Sequence, residues 1–465
     1  MPTPSLRSVF FLMAAWSAEA AADPGDHIKV AGGELTPSVS LMTTWRSNNY
    51  LTPGAAFSSE DRYRAIPGFS LQVSPALKLK TRSRYLHVDA GAIYDARKYF
   101  SEELSNLDRF KNVNLGLGTV ILPESVVGAK IGSTYRITGR ETEAVNSDDA
   151  YLQQTMSRTQ ASLTVRPGSS MEIDVGGIFD IKDIDTPQPV DGNQQYSLNS
   201  SAGYGVLGTL SWKFFPKTAL VASFERSTFS WDNNTNVLYD RADGPVDTSR
   251  YPGVLPFVIE SDGKGVLYVP DGKLLHADGG IRGRFTDKLI IGAVLGFTRI
   301  IYDDALDGSF NKEDRATGCD VPKRGTQAAV EDDLVGFPCT LTGNFEVGYD
   351  ITKDQRVTLG YLREHQDVFF TNYVTMNRTY LNYAGKVANR LQPAVGFEYN
   401  EQAYQGQVQR TDGWFRLRAD LTWKAVPWMD LTGGTWYTGR RSIGGDFPEV
   451  EYDDVNIHMG AVFSY

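Results

Sequence analysis

The stretch Val455-Asn456-Ile457-His458-Met459-Gly460-Ala461-Val462-Phe463-Ser464-Tyr465 is apolar at every second position: Val455, Ile457, Met459, Ala461, Phe463 and Tyr465. The interleaved residues Asn456, His458, Gly460, Val462 and Ser464 are small or polar, apart from Val462. A β-strand sends alternate side chains to opposite faces, so the stretch predicts a strand with one apolar and one wet face. A soluble edge strand alternates too, so the rest of the chain has to decide between a soluble sheet and a membrane barrel.

Working back from that strand, the same unit recurs from Gly33 onward: an alternating run, then a connection. Leu35, Val39, Leu41 and Trp45 form one apolar face, and Leu86, Val88, Ala90, Ala92 and Tyr94 another. Val113 to Ile121, Val127 to Ile137, Ala161 to Val165, Ile173 to Ile181 and Tyr204 to Trp212 repeat the pattern, as do Ile291 to Phe297 and Phe415 to Trp423. Weaker runs lie near Val374–Ala384 and Ala394–Tyr399. The reading gives about 18 strands, an even number as single-chain outer-membrane barrels require.

Connections alternate. Short ones are rich in Pro, Gly and Asp, such as Leu122-Pro123-Glu124-Ser125 and Thr352-Lys353-Asp354-Gln355. Long ones are Asn48–Asp61, Gly139–Ala150, Asp183–Asn199, Ser230–Lys273, Asp303–Thr340 and Gly439–Glu451. Strict alternation fits tight periplasmic turns and long extracellular loops, and no four-strand repeat of a propeller occurs. The fold class expected is all-β: a transmembrane antiparallel up-and-down barrel, integral to the bacterial outer membrane. A turn is expected near Ser74-Pro75, and a hairpin within the long connection, from Phe257-Val258-Ile259 to Val266–Val269. Aromatics near strand ends, among them Trp45, Tyr50, Tyr99, Trp212, Phe215, Trp423, Trp428, Trp436 and Tyr437, predict the headgroup girdles.

Composition agrees. The 465 residues include 45 Gly and 54 aromatics (23 Tyr, 23 Phe, 8 Trp). The mean hydropathy of −0.30 looks soluble, but a barrel turns only alternate residues to lipid. The formal net charge of −10 argues against nucleic acid as a partner. At the N-terminus Arg7, the apolar run Val9–Trp16 and a small-residue site ending at Ala22 read as a secretory signal peptide over residues 1–22. Residues 23–32 are then a short periplasmic segment and 33–465 the barrel.

Parity also sorts the charges. Lys130, Arg136, Arg158, Arg282, Arg284, Arg416, Arg418 and Asp420 fall opposite the apolar face, which makes them candidate pore-lining residues. One reading is a basic stripe selecting anions or acidic glycans; the other is an ordinary polar lumen, given the interspersed Glu172, Asp174, Asp180 and Glu346. Lys78, Lys80, Arg82 and Arg84 also alternate, but beside the expected Ser74-Pro75 turn they read as solvated. Cys319 and Cys339 share one loop, and in an oxidising compartment such a pair is expected to form a disulfide. The run Asp303, Asp304, Asp307, Gly308, Asp314 departs from a calcium loop at Ala305 and at its last ligand, so no metal is expected. The five His are scattered and no hydrolase motif occurs, so neither catalytic residues nor a cofactor is expected.

The last strand, ending on Phe463 and Tyr465, resembles the C-terminal strand that the outer-membrane barrel insertion machinery reads. Leu35-Thr36-Pro37-Ser38-Val39-Ser40-Leu41 with Ser47-Asn48-Asn49, and Arg440-Arg441-Ser442 with Tyr452-Asp453-Asp454-Val455, resemble the opening and closing of the porin-2 family of outer-membrane β-barrels. The resemblance implies a barrel set in lipid and lipopolysaccharide. It also implies, for some members, passage of exopolysaccharide together with a periplasmic polysaccharide-export protein. The expected function is therefore a channel for polysaccharide or small hydrophilic solutes. The alternative is a non-conducting structural or adhesive barrel that binds through its disulfide-clamped loop.

Overall fold

In a computed structural model, residues 28–30, 33–49, 65–109, 111–141, 151–185, 200–231, 235–239, 258–259, 265–268, 271–302, 341–368, 371–388, 390–405, 410–443 and 451–464 are described. Eighteen antiparallel strands close into one barrel. They are β1 Gly33–Arg46, β2 Gly68–Arg82, β3 Leu86–Tyr99, β4 Asn112–Ile121, β5 Val127–Glu141 and β6 Tyr151–Gly168. Next come β7 Met171–Asp185, β8 Ser201–Phe215, β9 Thr218–Trp231, β10 Gly272–Arg284, β11 Leu289–Tyr302 and β12 Leu341–Thr352. The last six are β13 Gln355–Val368, β14 Thr371–Gly385, β15 Leu391–Gln405, β16 Arg410–Val426, β17 Met429–Ile443 and β18 Tyr452–Ser464.

The strand read first from the sequence closes the ring. β18 pairs with β17 on one side and with β1 on the other, from Ser38↔Ser464 to Arg46↔Asn456. Closure leaves no sheet edge, the condition for backbone polar groups to cross lipid. Ile457 and Met459 point outward and are 52% and 71% exposed, whereas Asp454, Asn456 and His458 on the opposite parity are buried inside. The same parity runs round the wall, with Leu41, Leu163, Val206, Leu295, Leu359, Leu417 and Leu421 all outward. A closed barrel with an apolar outer band is an integral outer-membrane barrel. Tyr465, residues 1–27, Cys319 and Cys339 lie outside the described residues.

Aromatic pairs mark the rims of that band. Trp428 stacks on Phe463 at 6.2 Å near the short turns, and Phe415 meets Tyr437 at 5.3 Å near the far ends. Tyr99 and Trp436, expected in a girdle, point inward instead. Tyr99 is buried with Leu104, Leu107 and Ile66, and Trp436 lies 5.5 Å from His458. Strand-end position alone did not separate the faces; parity does.

Three further expectations need correction. The chain does not turn at Ser74-Pro75; β2 runs on to Arg82 and the turn is Ser83–Tyr85. Pairing between β2 and β3 skips Ser74 and Pro75, but Pro75 keeps its place opposite Val39. Proline interrupts one ladder because it has no N–H to give, while its fixed φ tolerates the extended strand. Alternation of connection length also breaks twice on the outer side, where only residues 369–370 join β13 to β14 and 406–409 join β15 to β16. The expected hairpin is one strand larger: Gly265–Tyr268 pairs with both Val258–Ile259 and Thr235–Tyr239.

A 3-10 helix, Glu102–Arg109, was not foreseen. Leu104 packs inward over Gly68, where a Cβ would stand 2.3 Å from its Cδ1. Glycine at that point lets the helix seat against the inner wall at the outer mouth.

Candidate functional site: the lumenal wall

Inward parity places polar side chains along a cavity of ≈ 1540 Å³ inside the barrel. It reaches from Asp430 and Ser464 at the short-turn end to Ser227 and Phe229 near the outer end. Strands β5 to β11 all line it, β6 only through Met156, Ser157 and Arg158. Strands β16 to β18 contribute only at their short-turn ends, through residues such as Thr422, Thr432 and Val462, and β14 and β15 contribute nothing.

Four of the eight candidate residues, Lys130, Arg136, Arg158 and Arg282, line this cavity. Two of them are held by acids on neighbouring strands. Lys130 Nζ lies 2.6 Å from Glu172 and 2.8 Å from Asp174. Asp174 also accepts from Thr164 at 2.5 Å and Thr209 at 2.9 Å, and Arg166 holds Glu172 at 2.7 Å. Arg158 reaches Asp180 at 3.4 Å and Glu225 at 3.2 Å. Such partly solvated pairs fix side-chain geometry while stabilising weakly. Arg136 lines the cavity with no ion pair among the described residues.

The other four stand on the inward parity outside the cavity. Arg284 pairs with Asp350 at 2.9 Å and donates to the Asp287 carbonyl at 2.6 Å, at the β10–β11 turn. Arg418 pairs with Asp420, which also lies 3.2 Å from His458 Nε2. Arg416 sits 5.1 Å over the Trp414 ring and donates to Thr438 at 3.3 Å. All eight stand on the inward parity, and sequence parity alone could neither place them in height nor assign their partners.

Missed from the sequence were Lys78, Lys80 and Arg82, which line the cavity from the short-turn end of β2, with Arg82 paired to Asp89 at 2.6 Å. The mistaken turn at Pro75 hid them; the alternation of Leu77, Leu79 and Thr81 with them was the usable signal. Also missed was a hydrogen-bond chain across β10 to β12. His276 Nε2 lies 2.7 Å from Asp278, its Nδ1 2.7 Å from Thr298, and Thr298 Oγ1 3.1 Å from Thr342.

Charge along the cavity is nearly balanced: nine Lys or Arg and ten Asp or Glu line it among the described residues. Of the two readings, a basic stripe or an ordinary polar lumen, the stripe around Lys130 and Arg158 is interleaved with its counter-charges.

Across the barrel, the outer half of the β15–β18 and β1 wall is polar yet dry. Asp412 and Arg440 form a buried ion pair. Asp454 takes Arg46 at 2.9 Å and the Asn48 amide at 3.1 Å, across the seam between the first and last strands. Asn400 and Asn456 beside them are buried as well.

No known family profile matches the chain, and no curated protein does. Among solved structures, the Pseudomonas aeruginosa outer-membrane protein OpdK crystallised with vanillate is similar over 93% of this chain and 99% of its own, at 10% identity and a TM-score of 0.42. OccK3 (OpdO) of the same organism gives 10% identity, 93% and 95% coverage and 0.42. The siderophore receptor PirA gives 8% identity, 93% and 80% coverage and 0.39. At these values the likeness settles neither family nor cargo, and the porin-2 membership implied by the terminal motifs is not established.

Proposed function

We propose that this barrel is a passive outer-membrane channel for small hydrophilic solutes, with weak charge selection. One observation carries the reading: a tall cavity inside a closed wall, lined by nearly equal numbers of cationic and anionic side chains. A filled barrel of purely structural use gains nothing from keeping charged side chains beside such a volume. Paired Lys130, Arg158 and Arg82 present little net field to a passing ion. Arg136 is the candidate for what anion preference remains, because its guanidinium offers a fixed fork of donors to a carboxylate. Polysaccharide export, implied by the family resemblance, has no observation in the described wall that favours it. The adhesive alternative rests on Cys319 and Cys339, outside the described residues.

The test is reversal potential in planar bilayers under a salt gradient, for the native protein and Arg136→Glu. Native barrels should conduct with a small anion preference that the variant loses or reverses. Conductance with an unchanged reversal potential removes Arg136 from the pathway; absence of conductance in both removes the channel reading.

A further inference from the structure

We propose that Arg226, Lys273 and Arg299 form an outward-facing site for the phosphate groups of the saccharolipid in the outer leaflet. The three side chains lie on adjacent strands β9, β10 and β11 and share the lipid-facing parity. Arg226 is opposite Leu275, and Leu275 is opposite Arg299, so the two arginines occupy one row across three strands. Lys273 stands on the same face one step further out, opposite Thr228 and Ile301. Immediately below is the row Phe224, Ala277, Phe297, whose two aromatics are exposed to lipid. Two residues of strand rise about 6–7 Å, so the cations stand one step beyond that aromatic row, toward the outer ends of their strands.

The chemistry at that level selects the ligand. Guanidinium and ammonium groups bind phosphate oxygens by charge-assisted hydrogen bonds, with Arg engaging two oxygens at once. Arginines two strands apart are separated by about 10 Å, wide enough to hold separate phosphates of one headgroup. Two other outward cations among the described residues face a carboxylate of this chain. Lys98 pairs with Asp108, and Arg441 lies 2.7 Å from Asp453. Arg226 is exposed and has no carboxylate partner among the described residues. Lys273 and Arg299 engage other groups as well; the site depends on their charge at this height. This inference is independent of conduction.

The experiment uses the full barrel folded in detergent, with bisphosphorylated lipid A as probe and bound lipid counted by native mass spectrometry. Arg226→Gln should weaken binding roughly fivefold, from the ~1 kcal/mol that each cation contributes near an anionic headgroup. The triple Gln variant should weaken it at least tenfold, and Arg226→Lys should restore most of the single loss. Dephosphorylated lipid A should bind all forms equally weakly, and millimolar inorganic phosphate should not displace the lipid. Equal affinity of native and triple variants for lipid A would overturn the proposal, as would equal binding of the dephosphorylated lipid to the native barrel. Displacement by inorganic phosphate would do the same, by making the free ion the ligand. If the triple variant does not fold, Arg226→Gln alone decides, with Arg441→Gln, whose charge is already paired, as the variant that should change nothing.

Discussion

The β5–β10 wall and the β15–β1 wall are built from the same materials on the same parity, yet they end in opposite states. On the first, Lys130 and Arg158 lie in ion pairs that border the central cavity. On the second, Arg440–Asp412 and Arg46–Asp454 are closed off from it. An ion pair beside water is weak because solvent competes for both charges. A buried pair is intolerant of losing one partner, because the charge left behind has no solvent to replace it. One wall is thus suited to tuning by substitution and the other to holding the ring shut. The difference sets the expected size of each mutational effect.

The largest effect belongs to the seam. Asp454→Ala strands Arg46 and the Asn48 amide between the first and last strands, and should cost about 3 kcal/mol or more. Thermal unfolding of the heat-modifiable form in detergent micelles is the measurement, and an unshifted midpoint would make the seam as tolerant as the cavity wall. Next is the outer face, where Leu421→Arg puts a guanidinium into lipid. The expected cost is roughly 2–4 kcal/mol near mid-bilayer. Ser162→Arg, on the inward parity, should fold into liposomes far better, and the reverse order would invert every facing assignment made above.

Gly460 offers a smaller, steric probe of the seam. A Cβ there would stand 2.2 Å from the Leu41 carbonyl oxygen, so Gly460→Ala forces the closing strands apart. A loss of about 1–3 kcal/mol is expected, as for other overpacked sites, read by the same unfolding midpoint. The smallest stability effect is expected at Lys130→Met. Its pairs with Glu172 and Asp174 are partly solvated, so the cost should stay below about 1 kcal/mol. Two carboxylates released beside the cavity should nevertheless move the reversal potential toward cations. A large stability loss without that shift would place Lys130 with the dry wall and erase the contrast between the two regions.

Much of the fold was legible from the residues because a strand's side-chain period is short and local. Val455 to Phe463 announced their faces two residues at a time, and Leu417 and Leu421 fell on the expected side. Errors came where a local signal had a second meaning. Pro75 looked like a turn because proline usually ends a ladder; here only its pairing with β3 is broken, and β2 continues. Tyr99 and Trp436 looked like girdle residues because they sit near strand ends, but their parity is inward. The 3-10 helix Glu102–Arg109 is too short for periodicity to reveal and depends on the fit of Leu104 over Gly68.

Alternation along each strand by itself determined that this chain forms a closed β-barrel, which side chains meet lipid, and which charged residues turn inward. Those properties depend on neighbours one and two residues away, and they hold for any barrel of this register. Tertiary structure alone decided which inward charges meet. Lys130 finds Glu172 from 42 residues away, and Arg46 finds Asp454 across 408. It also decided that one wall borders a cavity while the opposite one is dry, and that Arg226, Lys273 and Arg299 gather on one face of three adjacent strands. Register between strands and closure of the ring set those encounters. Both arise from the sum of pairings round the whole sheet, which no single stretch of sequence contains.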